Sequence, residues 1–481
     1  MLVRGIRILT AAALATAVMA TAANSAGAAP GRTDPRPKGG EADPAAAVMV
    51  RGTVLDYRTR QGCIGRSVVI GGEQTTTDVD GRFAIAAPPG VYDLAIVEPN
   101  RSSATFYRGL RRRDLLLLHS IDPNLVPKGY DKHVAHIDGK LSGGGFDPGS
   151  SNMTRIYFLS PQVRRDRTLA GQTHDARGAA YGPLTLAWIG PESIAGDVVA
   201  VRTTRDKPDA GAPARDGTGS VVWWEAHEKV KVVSGEVAMA DLAFARLPMG
   251  HIAGQIDVAP GLSVTGRSVH YLVLPNAGIP IDGDGAERRP GPFDFPVPDL
   301  RHMPGQYCAS AYDGARGIHS FTSKCGLAFG ATDVTLKLRA PPKLTTLKER
   351  TQQVQTISRD TQFGWTAFEG GIHQLTLHCG GDPENPNVFV YTTATRAPWP
   401  DLRAVDVAFP KVGQMCHVSV TGLGPYQGMD EAFSPEGIGS TFPKETYGGR
   451  STEPYVIIAP PGKPAAGKPP RKILHDEASP R

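Results

Sequence analysis

Apolar residues in this chain come in short runs, many of them alternating, and they lack helical spacing. Phe83 and Ile85 alternate with Arg82 and Ala84, which puts an aromatic and an aliphatic on one strand face. Tyr92, Leu94 and Ile96 repeat the pattern, while Val50–Asp56 and Ser67–Ile70 form two earlier β runs. The β-branched Thr75–Thr77 leads into Asp78-Val79-Asp80-Gly81, and Asp-Gly between two β runs predicts a hairpin. Pro88-Pro89-Gly90 predicts a tight turn. Strands this short, punctuated by Gly and Pro, predict an antiparallel sandwich over Val50–Leu118, and the rest of the chain is organised around it.

Weaker copies of the same outline follow. One opens at His136-Ile137-Asp138-Gly139-Lys140-Leu141, continues through Arg155–Leu159 and Asp197–Val201, and closes with Val237–Phe244. Another opens at His251–Ile256, includes Val269–Leu274 and Gly305-Gln306-Tyr307, and closes with Asp333–Leu338. The recurring signs are a Gly-x-aliphatic opening, a late strand after Gly and an aliphatic closing strand. After Pro341-Pro342 a fourth unit shows Phe363, Trp365, Ile372–Leu377, Asn387–Thr392 and Gln414–Val420 as β-rich stretches.

The expected fold class is therefore all-β: tandem antiparallel β-sandwich domains with a signal peptide and a disordered tail. The expected divisions are 1–28 signal peptide, 29–46 linker, 47–126 first sandwich, 133–248 and 249–340 two divergent sandwiches, 343–460 fourth sandwich and 461–481 tail. Arg4 and Arg7, the apolar run Ile8–Ala23 and Ala26-Gly27-Ala28 have the order of a secretory leader. No other segment is long and apolar enough to cross a bilayer as a helix.

Gly52, Val54, Val68, Ile70, Thr75, Thr77, Asp78, Gly81, Phe83, Gly90, Tyr92 and Leu94 resemble the carboxypeptidase regulatory-like domain, a transthyretin-like sandwich. That resemblance implies an accessory module without catalysis, some of whose relatives by fold bind carbohydrate. The fourth unit has a weaker resemblance to a fibronectin type III-like sandwich, from which Cys416 departs by standing where a core aromatic is usual.

Composition adds three points. Gly (56) and Pro (41) are abundant, which favours turns over long helices. The formal charge of +5 falls to +3 once Arg4 and Arg7 are removed, and no basic cluster interleaves with aromatics, so nucleic acid is not an expected partner. Arg111-Arg112-Arg113 reads as a solvated strand edge. Five cysteines in a secreted chain suggest pairing of Cys308 with Cys325 and of Cys379 with Cys416, leaving Cys63 odd.

Motifs for chemistry are sparse. Neither Gly-x-Ser-x-Gly nor His-Glu-x-x-His occurs, and no cofactor is expected. Asp282-Gly283-Asp284-Gly285-Ala286-Glu287 offers Asp282, Asp284 and Glu287 as hard oxygen ligands in a Gly-bearing loop, although a plain acidic turn is the better explanation. In Val221-Val222-Trp223-Trp224-Glu225, one Trp is core and the other outward. An exposed Trp224 beside Glu225 would suit a sugar ring, although cover of Trp224 by the neighbouring long loop is the plainer reading. Trp365 and Phe368 read as core, and Trp399 between two prolines is open. The expected function is a secreted, non-catalytic binding or spacer module at the cell surface or envelope, with a glycan or another extracellular protein as partner. The alternative is an accessory or regulatory subunit of a secreted hydrolase such as a peptidase, or such an enzyme itself. In that case the stretches Asp206–Gly219 and Ala277–Pro298 would be the loops that build a site.

Overall fold

The structure, a computed structural model, describes residues 47–56, 62–119, 132–144, 153–160, 172–174, 179–189, 191–205, 221–274, 277–288, 290–300, 303, 305–314, 319–347, 354–440, 444–451 and 453–460. The expected leader, linker, tail and Asp206–Gly219 loop lie outside these residues.

The architecture is all-β. The first unit holds β1 (Val48–Asp56), β2 (Ser67–Ile70), β3 (Glu73–Thr76), β4 (Arg82–Ala87), β5 (Tyr92–Val97), β6 (Ser103–Leu110) and β7 (Asp114–His119). β1 pairs antiparallel with β4 and parallel with β7, and the facing sheet runs β3-β2-β5-β6. The second unit holds β8 (Lys132–Gly143), β9 (Met153–Leu159), β10 (Gln172–His174), β11 (Ala180–Ile189), β12 (Ser193–Arg205), β13 (Val221–Val233), β14 (Val237–Met239) and β15 (Leu242–Arg246). The third holds β16 (Met249–Val258), β17 (Val264–Leu274), β18 (Ala277–Arg288), β19 (Gly291–Pro298), β20 (Gln306–Asp313), β21 (His319–Leu327) and β22 (Val334–Leu338).

These three units share one strand order. β8 and β16 repeat β1, each pairing antiparallel with the fourth strand of its unit and parallel with the closing one. β10-β9-β12-β13 and β18-β17-β20-β21 repeat β3-β2-β5-β6. The recurring glycine of the opening strand has a physical cause. A Cβ on Gly139 would lie 1.9 Å from the Ala240 carbonyl oxygen, and one on Gly254 would lie 1.8 Å from that of Val334. In these two units only Gly lets the backbone of the closing segment come this near, whereas at Gly52 a Cβ would lie 2.6 Å from the Phe83 ring.

Two expected features are corrected, one in the first unit and one in the third. The turn at Asp78–Gly81 forms, with Asp78 Oδ1 accepting the amides of Asp80 and Arg82. However, β3 and β4, which it joins, pair with β2 and β1 in different sheets, so it is a crossover between sheets and not a hairpin. The two-residue hairpin lies earlier, at Gly71-Gly72, where φ is +56° and +92° and Ile70 pairs with Glu73. The run Ala277–Pro298, expected as a loop, is β18 and β19.

The fourth unit holds β23 (Gln355–Ile357), β24 (Gln362–Gly364), β25 (Ile372–His378), β26 (Asn387–Thr392), β27 (Arg396–Pro398), β28 (Met415–Gly424), the one-turn α1 (Met429–Ala432), β29 (Glu445–Arg450) and β30 (Tyr455–Ile458). Its strands continue the sheets of other units. β26 pairs in parallel with β6, and β29 pairs antiparallel with β21. One sheet therefore runs β18-β17-β20-β21-β29-β28-β25-β26-β6-β5-β2-β3, through the third, fourth and first units.

The cores cross the same boundaries. Ile372, Tyr391, Tyr426, Met429 and Phe433 of the fourth unit complete the core of the first. Ala95, Val97 and Ala104 of the first lie in the core of the fourth. At this junction Phe433, fully buried, stands edge-on to Tyr107 (4.8 Å between centroids) and to Tyr391 (5.0 Å), which are themselves stacked at 5.2 Å. Asp430 Oδ1 accepts the backbone amides of Arg111 and Arg112, so that part of the basic run is a docking turn and not a free edge. Likewise, Tyr157, Leu159, Val199, Val201 and Trp223 turn one face of the second unit's sheet into the third unit's core. Ile156, Phe158, Val198 and Ala200 fill the second unit's own core from the other face. Burial on both faces explains why these strands read as unbroken apolar runs.

Phe433→Ala removes the ring that closes the junction between the first and fourth units. It should cost about 3–5 kcal/mol in urea unfolding of the full chain. A cost below about 1 kcal/mol would mean that the two cores are not joined there. His270, on β17 opposite Cys308, is buried, and burial lowers its pKa from 6.5 to about 4. The unfolded chain then takes up a proton that the folded chain refuses. The stability that this residue adds is full above pH 6.5 and is lost as pH falls toward about 4, by roughly 3 kcal/mol. Thermal unfolding across that range should show the drop, and His270→Gln should flatten it.

Candidate functional site

The sequence-level candidates occupy separate places. Trp224 and Glu225 are neighbours on β13 and face opposite sides of its sheet. Trp224 is half-buried against the second unit's core, and its Nε1 donates to Thr204 Oγ1 at 2.9 Å. Glu225 is buried on the other face, where its charge helps to raise the pKa values of Tyr271 and Tyr307, although burial of those two rings is the larger cause. The two side chains therefore do not form one platform. Asp282, Gly283 and Asp284 lie in register with Val269, Ser268 and Arg267, so the tight loop assumed for a calcium site is an extended strand. The side chains of Asp284 and Glu287 lie outside the described side chains. Among the described residues, no group of three or more His, Cys, Asp or Glu could hold a metal ion. Trp365, Phe368 and Trp399 are all buried, with Trp399 packed on Phe363 and Phe409.

A hydroxyl, an imidazole and a carboxylate line up inside the first unit. Thr105 Oγ1 is 3.0 Å from His119 Nδ1, His119 Nε2 is 3.2 Å from Glu98 Oε1, and Glu98 pairs with Arg66 at 3.1 Å. The order is that of a nucleophile, a base and an orienting group. The ionic side chains are at most 4% exposed and Thr105 is buried, so the network lies in the core.

An open polar site among the described residues is on the fourth unit. In β25, Leu375 and Leu377 point into the core, and Thr376 and His378 point out. In β28, Cys416, Val418 and Val420 point in, and His417 and Ser419 share the other face. The register sets Thr376 opposite Ser419 and His378 opposite His417. β29 brings Arg450 alongside, where its Nε donates to Ser419 Oγ at 3.3 Å and its guanidinium pairs with Glu453. Tyr455 of β30 lies against His417 at 4.2 Å between ring centroids. Thr376, His378, His417, Ser419, Arg450 and Glu453 enclose a cavity of about 100 Å³. Burial lowers the pKa of His378, with His417 and then Arg450 pushing it further down.

Directly beneath, Cys379 and Cys416 form a disulfide, and a second joins Cys308 to Cys325 across β20 and β21. Buried Cys63 belongs to neither. The basin was missed in the sequence, but a signal for it existed. In an antiparallel pair the two residue numbers sum to a constant. If Cys379 faces Cys416, then 378 faces 417 and 376 faces 419.

No family model matches the chain, and no curated protein matches it. Among solved structures, similarity is found to the streptococcal ancillary pilin, at 8% identity over 61% of this chain and 99% of that one, with a TM-score of 0.14. A candidate adhesin from Bacteroides ovatus matches at 9% identity over 38% of this chain and 72% of that one, also at 0.14. These scores are too low for either protein to inform the fold or the function of this chain.

The Cys379–Cys416 bridge closes 37 residues. Replacing both cysteines by Ser should lower unfolding stability by roughly 4 kcal/mol, because the unfolded chain regains the entropy of that loop. Denaturant unfolding of the double variant checks this, and a loss near zero would contradict it.

Proposed function

We propose that this protein is an extracytoplasmic, non-catalytic module of joined β-sandwiches, one that holds binding surfaces in fixed relation at the cell surface or envelope. The observation that carries this reading is the shared sheet. β6 with β26 and β21 with β29 fix the first, fourth and third units to one another by backbone hydrogen bonds, and the second unit is fixed to the third by a common core. Such a body resists relative motion of its parts, which suits a spacer or a scaffold. The two disulfides support an oxidising compartment. The closed Thr105–His119–Glu98 network favours a structural over a catalytic use of the polar core.

The regulatory-like resemblance of the first unit fits an accessory role. An extracellular protein is a partner of the right kind for such a body. A glycan remains the ligand that Trp224 would take, through the part of its ring that stays exposed.

Fractionation of the native cells with thiol labelling tests the reading. The protein should appear in the extracytoplasmic fraction with four of its five cysteines resistant to alkylation until reduced. Recovery in the cytosol with all thiols reactive after denaturation would overturn it.

A further inference from the structure

We propose that the His378–His417 basin on the outer face of β25, β28 and β29 binds a tetrahedral oxyanion, sulfate or phosphate, either free or carried on a polymer.

Donors converge there. Thr376 and Ser419 present hydroxyls, His378 and His417 present imidazole N–H groups, and Arg450 presents a guanidinium. All five side chains can donate a hydrogen bond, and an oxyanion has acceptors on every side. The cavity of about 100 Å³ has room for one such ion together with several waters. The basin is also held in shape. The Cys379–Cys416 bridge lies one residue from both imidazoles and fixes the two strands in the register that sets His378 opposite His417. Little ordering is then left for the ligand to impose.

The charges that face the basin are few. β25 contributes His378, β28 His417, β29 Arg450, β30 the phenol of Tyr455, and the turn before β30 contributes Glu453. Glu453 offsets Arg450, so the charge of the basin is set by its two imidazoles. Protonating the imidazoles adds up to two positive charges that repel each other and Arg450. That repulsion contributes to the lowered pKa of His378. A bound dianion relieves it, so the ion favours the protonated imidazoles and they favour the ion. Affinity must therefore rise as pH falls through the imidazole range. Glu453 opposes the ion both by its charge and by competing for Arg450, and its side chain is 36% exposed, free to yield. A cation finds the opposite balance, because Arg450 stands beside the only two imidazoles in the basin.

Sulfate is the probe, because its charge does not change between about pH 5.5 and about pH 7.5, the range in which an ordinary imidazole gains its proton. Calorimetric titration of the full chain at constant ionic strength should give saturable binding at the lower pH. At the higher pH it should be weaker by roughly tenfold. The double variant His378→Gln/His417→Gln should weaken binding at the lower pH by about tenfold or more and remove the pH dependence. Glu453→Gln should tighten binding several-fold, a direction that damage to the fold would not produce. Absence of saturable binding at the lower pH would overturn the proposal. So would equal binding by the double variant or weaker binding by Glu453→Gln. A heparin arm separates the sources. If heparin binds and needs the same two imidazoles, the anion is polymer-borne. If sulfate needs them and heparin does not, the basin takes the free ion.

Discussion

The structure depends on what happens to one strand edge. A seven-stranded sandwich of this order leaves the sixth strand at the end of its larger sheet, with one row of backbone amides and carbonyls unpaired. The chain meets that demand three times and in three ways. In the first unit β6 is covered by β26, in the third unit β21 is covered by β29, and in the second unit β13 is covered by the unit's own β15 through Trp224–Arg246 and Glu225–Ala245. The fourth unit therefore fills the gap between two such edges, and its own strand order follows from that position. This is why it does not stand alone as a fibronectin type III-like sandwich: two of its strands serve the edges of its neighbours.

The individual strands were legible in the sequence because alternation and turn chemistry are local. Phe83 and Ile85, Tyr92 and Leu94, and Val388 and Val390 all point into a core, as period-two spacing requires. The shared strand order of three units was foreshadowed by Gly52, Gly139 and Gly254, each placed where the opening strand runs between two others. The joining of the units was not legible. β6 reads Ser103-Ala104-Thr105-Phe106-Tyr107, and nothing in those residues names Asn387–Tyr391 as their partner, nearly three hundred residues on. A parallel pairing over such a distance leaves no turn signal, so only the double-sided burial around it could have raised suspicion.

The same limit explains the candidate sites. Trp224 and Glu225 are adjacent in sequence, which made them look like a pair, yet adjacency on a strand is separation in space. His378 and His417 are far apart in sequence and meet across two strands. In a β protein, residues that act together are alternate on one strand or opposite on neighbouring strands. The acidic run at Asp282 shows a related error. Gly between two Asp residues suggested a loop, but β18 accepts the glycines because Gly283 and Gly285 lie beside Ser268 and Gly266 of β17, where small residues cost the sheet little packing.

The shared edge also constrains how the chain reaches this state. The first unit is synthesised with Tyr107 facing a space that Tyr391 and Phe433 will occupy, and with β6 unpaired until β26 exists. Its core cannot close on its own residues, so its stability belongs to the whole and not to the unit. Long-range pairings of this kind are paid in loop-closure entropy before their contacts form, which slows folding and leaves an open edge meanwhile. The third unit faces the same wait for β29. The second does not, since β15 follows β13 within a few residues. Of the three repeated sandwiches, the second alone has its edge strand covered from within its own sequence, and the divergence of its closing segment into β14 and β15 is the structural means by which that independence is obtained.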